Sequence, residues 1–322
     1  MKACVIGSGR RADSTMKIFS ALKKSNGFES VFFAPIEGIR LGVRKGDFPI
    51  FYKDYNLTDF DAVMPRIGAS KAVFGHLIVE YLNNHGIYTP FTPESVLIAH
   101  DKYLTLTLLN KSKVPVPETY LTMSPPTAKR VIKDMRFPVI MKLLGGSGGR
   151  GVMFADKENV ATTLIDTLDV LKQPLFIEEY IKNPGEDIRM IVVGDEVVAS
   201  MKRKSKNGDV RANLSSGGKG VPFKPTNEMK EIALKSAKAI GAEICGVDVI
   251  EGKKGPLVIE TNICPGMKIS GITGFKVEEK IAHFVSKRAE EHKIIHTPVR
   301  LSEYLEKELA KIPKWFKEAF ET

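Results

Sequence analysis

The sequence predicts an open α/β domain at the amino terminus, followed by α+β modules. Residues 2–6 form an apolar run that precedes a glycine turn and the helical pattern of residues 14–24, which is typical of a βαβ opening. Further along, a glycine-rich loop at residues 145–151 lies between two apolar runs. Two later pairs of apolar runs are each joined by a short turn, which predicts antiparallel hairpins. These three observations set the fold class.

Composition and charge limit the classes of function. The chain has 322 residues, 43% hydrophobic and 27% charged, which predicts folded domains and more than one hydrophobic core. Its formal net charge of +10 favours acidic ligands such as nucleotides. The basic residues are dispersed, with only short clusters such as residues 202–206, so the pattern argues against a dedicated nucleic-acid binder.

The cysteines and the hydropathy indicate the compartment. Cys4, Cys245 and Cys264 are widely spaced and form no C-x-x-C pair, which argues against a disulfide framework or a zinc site. No apolar run is long enough for a secretory signal or a membrane span. We therefore expect a cytoplasmic protein without a membrane span.

The chain is predicted to divide at residues 95, 180 and 292. The first part, residues 1–95, has strand and helix patterns that include a helix at 71–85 and a strand at 87–89. The second part, residues 96–180, begins within a helical pattern at 94–111 and contains the glycine-rich loop.

The third part, residues 181–292, contains the two hairpins. Gly194-Asp195 joins the apolar runs of the first hairpin, and residues 252–255 join those of the second. The last part, residues 293–322, carries Leu301, Leu305 and Leu309 at helical spacing, which predicts an amphipathic helix. That helix either docks on the body or on a neighbouring subunit, or contacts a partner or a membrane surface.

The glycine-rich loop is predicted to be a hairpin flap. Apolar runs flank it on both sides, whereas a P-loop or a dinucleotide fingerprint would lead into a helix. Its backbone N–H groups could close over phosphate oxygens, although such loops often only turn the chain. Lys142 ends the strand before the loop, where it either contacts a phosphate or faces solvent on an edge strand.

The second hairpin carries a candidate metal site. Asp248 alternates with valines on one strand, while Glu260 and Asn262 lie two residues apart on the next, so that all three project from one face. Oxygen ligands of this kind suit Mg²⁺, which completes its shell with phosphates and water. The alternative is a polar outer face of the hairpin that binds no metal.

A third candidate feature is the apolar strand at residues 176–181, whose backbone could bind an adenine edge, although ordinary strands look the same. The chain has no H-E-x-x-H and no G-x-S-x-G. Phosphoryl transfer needs no protein nucleophile, because positioning and electrostatic stabilisation carry most of its catalysis.

Six ordered segments together resemble the RimK group of ATP-grasp ligases. They extend over roughly residues 1–285 and are residues 60–70, Lys142 with its glycine loop, and residues 185–189, 210–214, 246–248 and 260–266. The resemblance implies an ATP-grasp fold. Residues 1–95 would be a pre-ATP-grasp α/β domain, residues 96–180 a small lobe with the flap, and residues 181–292 a large lobe with the metal site.

The resemblance also implies roles for individual residues. Two groups are expected to be catalytic, Arg203 and Arg211, and Arg66 is expected to face the substrate. Two Mg²⁺ ions, or Mn²⁺ in their place, would be held by Asp248, Glu260 and Asn262. The residues expected to bind ATP are Lys102, Lys142, Gly148, Gly149, Glu179, Tyr180, Asp187, Arg211 and Asn213.

The implied activity is a carboxylate–amine ligase that attaches glutamate, or a related amino acid, to a carboxylate-bearing acceptor through an acyl phosphate. The acceptor would be a protein tail, a coenzyme or a carrier protein, and the enzyme a homodimer or homotetramer. An ATP-grasp small-molecule kinase and a ribosome- or RNA-associated ATP-binding module are the alternatives. Residues 267–271 lack the acidic segment that relatives often carry, and the helix after Pro298 lies outside the resemblance.

Overall fold

The computed structural model describes residues 1–44, 49–145, 150–183, 185–205 and 218–296. Its first unit is built on a parallel sheet in the order β2-β1-β6, with a small antiparallel sheet β3-β4-β5 beside it. The elements of this unit are β1 (Lys2–Gly7), α1 (Asp13–Lys24), β2 (Ser30–Pro35), β3 (Ile39–Leu41), β4 (Ile50–Tyr52), β5 (Tyr55–Asn56), β6 (Ala62–Pro65) and α2 (Ala72–Asn84).

The second unit is a four-stranded antiparallel sheet in the order β7-β10-β8-β9, with two helices packed on one face. Two short helices precede it. The elements are α3 (Pro93–Ile98), α4 (Lys102–Lys111), β7 (Thr119–Thr122), α5 (Pro125–Asp134), β8 (Val139–Lys142), β9 (Val152–Ala155), α6 (Glu158–Val170) and β10 (Leu175–Glu179).

The third unit is a five-stranded antiparallel sheet in the order β13-β12-β11-β14-β15. Its elements are β11 (Glu186–Val193), β12 (Glu196–Lys204), β13 (Lys219–Pro222), α7 (Asn227–Ala239), β14 (Ile244–Gly252), β15 (Gly255–Asn262), α8 (Lys268–Thr273) and α9 (Val277–His296).

The two faces of the five-stranded sheet differ in character. Because side chains alternate along a strand, Ile188 and Met190 of β11 point to one face and Asp187, Arg189 and Ile191 to the other. The first face joins the large hydrophobic core with α7. The second is apolar around Ile191, where α8 and α9 cover it, and charged around Asp187 and Arg189. The charged half of this face is where the candidate site lies.

Both predicted hairpins are confirmed, and so is the hairpin around the glycine-rich loop. Strands β11 and β12 pair across Gly194-Asp195, strands β14 and β15 pair across the turn at 252–255, and β8 pairs antiparallel with β9. Gly194 has φ of +61°, a backbone conformation that glycine adopts without steric cost.

Two predicted elements are wrong in detail. The helical pattern at 94–111 forms two helices, because Thr92 and Asp101 each cap a separate helix amino terminus with a side-chain oxygen. The strand expected at 87–89 is reduced to one isolated bridge, between Tyr88 and Ala62 of β6. The proposed domain boundaries stay predictions.

The carboxyl-terminal prediction is only partly covered. Helix α9 ends at His296, and the amphipathic segment after Pro298 lies outside the described residues. Within the described part of the chain, no helix combines the length and the apolar character that a membrane crossing requires.

Candidate active site

The charged face of the five-stranded sheet is organised around Asp248. This residue on β14 lies opposite Arg189 of β11, whose Nε and Nη2 donate to the two carboxylate oxygens at 2.7 and 2.5 Å. A second guanidinium, that of Arg203 on β12, lies 2.9 Å from the same carboxylate. Asp248 is only 2% exposed. Two neighbouring strands therefore hold one buried carboxylate between two cations.

Arg203 also binds Asp187, the residue opposite it in the β11–β12 pair. Its Nε and Nη2 donate to the two Asp187 oxygens at 2.5 and 2.7 Å, and both residues are buried. Such bidentate pairing fixes the orientation of a guanidinium. The network thus contains two carboxylates and two guanidinium groups, so its formal charges cancel.

Burial and pairing act in opposite directions on the two carboxyl pKa values. Burial favours the neutral form of Asp248, but the guanidinium groups of Arg189 and Arg203 outweigh it and lower its pKa to about 2. For Asp187, burial dominates over the attraction of Arg203, and the Asp248 charge adds to it, so that the pKa of Asp187 is raised. Asp248 is therefore the carboxylate that stays ionised most firmly.

Glu260 and Asn262 extend this face to the edge strand β15. Glu260 pairs with Asp248 and Asn262 with Gly246, so strand pairing directs the three predicted metal ligands to one face. Glu260 is exposed, whereas Asn262 is half-buried and its Oδ1 accepts the N–H of Cys264 at 2.8 Å. The predicted donors therefore form a row from a buried carboxylate to an open one.

The donor set fits a hard cation that brings further ligands with it. No group of three His, Cys, Asp or Glu side chains that could hold a metal occurs in the described ranges. The candidate site instead combines two carboxylates, Asp248 and Glu260, with the amide of Asn262. Mg²⁺ normally takes one or two carboxylates and fills its octahedral shell with phosphate oxygens and water. An open carboxylate such as Glu260 leaves room for those ligands.

The four-stranded sheet carries one of the two predicted site lysines, Lys142. Lys142, the last residue of β8, forms an ion pair of 2.5 Å with Oε1 of Glu178 on β10. Glu178 is 4% exposed, and its Oε2 has no hydrogen-bond partner among the described residues. A buried carboxylate oxygen without a donor is rare and normally awaits one.

Lys102 connects helix α4 to the base of the flap. Its Nζ donates to the carbonyl of Leu144 at 3.1 Å, and Leu143 N donates to Gly151 O across the loop. Burial lowers the pKa of Lys102; Glu260 opposes that shift, and Lys142 adds to it. Lys102 therefore lies within electrostatic range of both Lys142 and Glu260, which brings the two sheets to one site.

The strand assigned to the adenine lies beside the flap. The ring of Tyr180 meets that of Phe154, on flap strand β9, edge to face with centroids 5.2 Å apart. Glu179 Oε1 accepts the backbone N–H of Glu118 at 2.9 Å, so this carboxylate already has a structural partner. Glu179 lies opposite Val139, so these two residues lie at the other end of β8 from Lys142.

Arg66 lies where the first unit meets the third. Its Nη2 donates to the carbonyl of Pro265 at 2.8 Å and to Ser14 Oγ at 3.3 Å. The neighbouring carbonyl of Ile67 accepts from the Cys264 thiol at 3.4 Å. The loop that follows Glu260 and Asn262 therefore packs directly on the first unit.

Four predicted site residues, Gly148, Gly149, Arg211 and Asn213, lie outside the described residues. Two charged residues that the structure places in the site were not predicted. Arg189 alternates with Asp187 on β11, a spacing that places both on one face. Glu178 lies opposite Ile140, two residues before Lys142 on β8. The alternation could have identified Arg189, whereas Glu178 needed the strand order.

Comparison with known families covers most of the chain. The RimK-like ATP-grasp domain matches residues 99–285 and the RimK PreATP-grasp domain matches residues 1–96. A probable alpha-L-glutamate ligase of Thioalkalivibrio sulfidiphilus is 33% identical over 296 residues, which cover 91% of this chain and 98% of the relative. One of Legionella pneumophila is 36% identical over 236 residues, 72% of this chain and 78% of the relative.

Solved structures share the fold at lower identity. A RimK domain ATP-grasp protein of Sphaerobacter thermophilus superposes with a TM-score of 0.65 at 18% identity, over 88% of this chain and 99% of that one. The ATP-grasp ligase PsnB, complexed with minimal precursor, Mg and ADP, gives 0.69 at 16% identity, over 89% and 98%. The chain therefore belongs to the RimK family of ATP-grasp ligases, enzymes that use ATP with Mg²⁺.

Proposed function

We propose that this ligase joins the amino group of glutamate, or of a closely related amino acid, to a carboxylate-bearing acceptor. Curated relatives that share about a third of their residues with this chain are named probable alpha-L-glutamate ligases. Several solved structures of the same fold hold precursor peptides. A protein tail, a coenzyme or a carrier protein would each offer the carboxylate.

The convergence of Lys102, Lys142 and Glu260 carries the proposal. Phosphoryl transfer is catalysed mainly by positioning and by positive charge around the transferred group. Lys102 at the start of α4 and Lys142 at the end of β8 would bind the nucleotide phosphates. Asp248, Glu260 and Asn262 would hold Mg²⁺ from the five-stranded sheet, and the ion supplies charge neutralisation when it is bound.

The proposed reaction has two chemical steps. The acceptor carboxylate attacks the γ-phosphoryl group, ADP leaves, and the amine displaces phosphate from the resulting acyl phosphate. Exclusion of water from the site would protect that intermediate from hydrolysis. Arg203 is held by Asp187 and Asp248, so it would act as a fixed positive charge.

The nucleotide assignments are proposed on the family resemblance. Glu179 and Tyr180 would lie at the adenine, beside the orphaned Oε2 of Glu178. Asp187 would share its carboxylate between Arg203 and a ribose hydroxyl. Gly148, Gly149, Arg211 and Asn213 complete the proposed nucleotide contacts. Two metal ions, with Mn²⁺ able to replace Mg²⁺, are proposed on the family resemblance.

Release of ADP and the mass of the product test the proposal. Purified protein is incubated with Mg-ATP, one of the twenty amino acids, and acidic peptides or carboxylate coenzymes as acceptors. We expect ADP only when both substrates are present, and a product heavier than the acceptor by one amino-acid residue or more. A stable phosphorylated product made without an amine would indicate a kinase instead.

Two variants make the assay specific. Glu260→Gln should abolish ADP release, whereas Glu251→Gln, an exposed carboxylate of β14, should leave it unchanged. Equal ADP release by the Glu260→Gln and wild-type proteins would contradict the proposed site.

The assembly and compartment are proposed on narrower grounds. Val73 and Leu77 lie one turn apart on α2 and are 70% and 41% exposed, which supports a homodimer or homotetramer. Light scattering on the purified protein measures this. The three free cysteines support a reducing compartment such as the cytoplasm, which fractionation of the host cell would test.

A further inference from the structure

The carboxyl edge of the parallel sheet has the topology of a ligand site. From β1 the chain passes to β2 on one side, and β6 lies on the other, so the carboxyl end of β1 is a point where the strand order reverses. Ligands of open α/β sheets bind at such points. Two groups border this one: Ser14 in the first turn of α1, and Arg66 directly after β6.

Arg66 is a buried cation with unused donors. Its side chain is 7% exposed, and neither Nε nor Nη1 has a hydrogen-bond partner among the described residues. Its other nitrogen, Nη2, reaches only uncharged oxygens, those of Ser14 and Pro265. A buried charge without a counter-charge is costly, because its hydration is lost and nothing replaces it. Such a group points to an anionic ligand.

The amino terminus of α1 adds positive potential on the same side. This 12-residue helix begins after Ala12, which offers no side-chain cap, and the first N–H groups of a helix attract anions. Ser14 is half-buried and accepts from Arg66, so its own hydroxyl proton is available to a ligand. The acid of this turn, Asp13, is exposed and lies 3.2 Å from Lys17.

Arg66 lies close to the proposed reaction centre. Pro265, which binds Arg66, is three residues beyond Asn262, and Cys264 of the same loop binds both Asn262 and Ile67. One short loop therefore connects the candidate metal ligand Asn262 to Arg66. A ligand that reaches both places needs its anionic and its reacting groups only a few bonds apart.

We propose that Arg66, with Ser14 and the amino terminus of α1, binds the α-carboxylate of the incoming amino acid. The α-carboxylate shares a carbon with the attacking amine, which matches the closeness of the two places. The carboxylate that is phosphorylated fits less well, because a guanidinium that is hydrogen-bonded to its oxygens would compete with their attack on the γ-phosphoryl group. This inference rests on the proposed ligase function and specifies which substrate group the first unit binds.

Calorimetric titration of two ligands against four proteins tests it. The ligands are L-glutamate and its α-amide, which lacks only the α-carboxylate charge. The proteins are wild type, Arg66→Met, Arg66→Lys and the control Arg40→Met, which removes an exposed arginine of the same unit. Each titration is run with and without Mg-ADP.

We expect wild type to prefer L-glutamate over the α-amide by about tenfold or more, the scale of a lost charge-assisted hydrogen-bond pair. Arg66→Met should lose that preference by binding L-glutamate as weakly as the amide, and Arg66→Lys should be intermediate. Arg40→Met should match wild type. Mg-ADP should bind all four proteins equally.

Equal binding of L-glutamate by wild type and Arg66→Met would overturn the inference. So would a wild-type protein that binds L-glutamate and its α-amide equally well, or one that does not bind L-glutamate. Failure of Mg-ADP to bind any of the proteins would instead contradict the proposed function. A merely structural Arg66 would lower the unfolding temperature when replaced by Met and leave ligand preference intact. We expect the reverse, since Met replaces an uncompensated buried charge.

Discussion

The two sheets that face the candidate site handle charge in different ways. On the five-stranded sheet, Asp187, Arg189, Arg203 and Asp248 form a closed buried network in which every charge has an opposite neighbour. On the four-stranded sheet, Lys142 has one partner, Glu178, and that partner retains an unsatisfied oxygen. Every charge of the first arrangement has a protein partner, whereas one carboxylate oxygen of the second has none among the described residues.

This difference separates stability from function. Charges in a closed buried network stabilise the fold together, because removing one of them leaves another buried without its counter-charge. An open group such as Glu260 has more freedom to exchange water for a ligand. We expect substitutions in the network to affect both properties and substitutions of the open groups to affect mainly turnover.

Asp248→Asn should have the largest effect. It removes the buried carboxylate that Arg189 and Arg203 share, which should cost about 3 to 5 kcal/mol in the free energy of unfolding. ADP formation should be lost as well, because a metal ligand is removed. Urea unfolding of the purified variant measures the first effect, and unchanged stability would show that the network is not closed as described.

Glu260→Gln should separate the two effects. Glu260 is exposed, so its free energy of unfolding should change by no more than about 0.5 kcal/mol. Turnover should nevertheless fall by about 10²-fold or more, the loss typical when a group that stabilises transition-state charge is removed. A steady-state ADP assay beside a urea titration checks both, and a destabilised variant with normal turnover would invert the account.

Lys142→Met should lower the free energy of unfolding more than Glu260→Gln does. It strands the buried carboxylate of Glu178, which should cost about 1 to 3 kcal/mol, and it should weaken ATP binding. The double variant Lys142→Met/Glu178→Gln should recover part of that stability without recovering activity. Recovery of activity in the double variant would remove Lys142 from the proposed site.

The acid limb of the stability curve should follow Asp248. Its folded pKa of about 2 lies below its ordinary value of 3.8, so the stabilisation is present above pH 3.8 and is lost as the pH falls towards 2. Asp187 has a raised pKa and so contributes with the opposite sign, at pH values above 3.8. Urea unfolding between pH 5 and pH 2 should show a shallower acid slope for Asp248→Asn than for wild type.

Glu251→Gln should have the smallest effect. Its carboxylate lies 3.4 Å from Lys202 on the exposed surface, where an ion pair is worth about 1 kcal/mol or less. Turnover should equal that of wild type. A large loss in this variant would mean that charge on this sheet matters regardless of burial, which would remove the contrast between the two sheets.

The sequence predicted the parts of the site that depend on local pattern. Alternation along β14 and β15 was enough to place Asp248, Glu260 and Asn262 on one face, because strands joined by a short turn pair with each other. The flanking apolar runs likewise predicted the β8–β9 hairpin. The break between α3 and α4 was missed because two capping side chains outweighed a continuous helical pattern.

What could not be predicted depends on contacts between distant segments. The pairing of Lys142 with Glu178 requires β10 to lie beside β8, an order that no local pattern contains. The contact between Arg66 and Pro265 joins residues that are 199 positions apart. The two guanidinium groups on Asp248 likewise follow from the central position of β11 between β12 and β14.

Binding of Mn²⁺ in the presence of ADP, followed by electron paramagnetic resonance, tests the central claim most directly. Mn²⁺ can stand in for Mg²⁺ in oxygen-ligand sites, and its signal changes when it becomes bound. We predict nucleotide-dependent Mn²⁺ binding by wild type and by Glu251→Gln, and its loss in Glu260→Gln with the fold intact. Mn²⁺ binding by Glu260→Gln with wild-type affinity would contradict the claim that the charged face of the five-stranded sheet holds the metal.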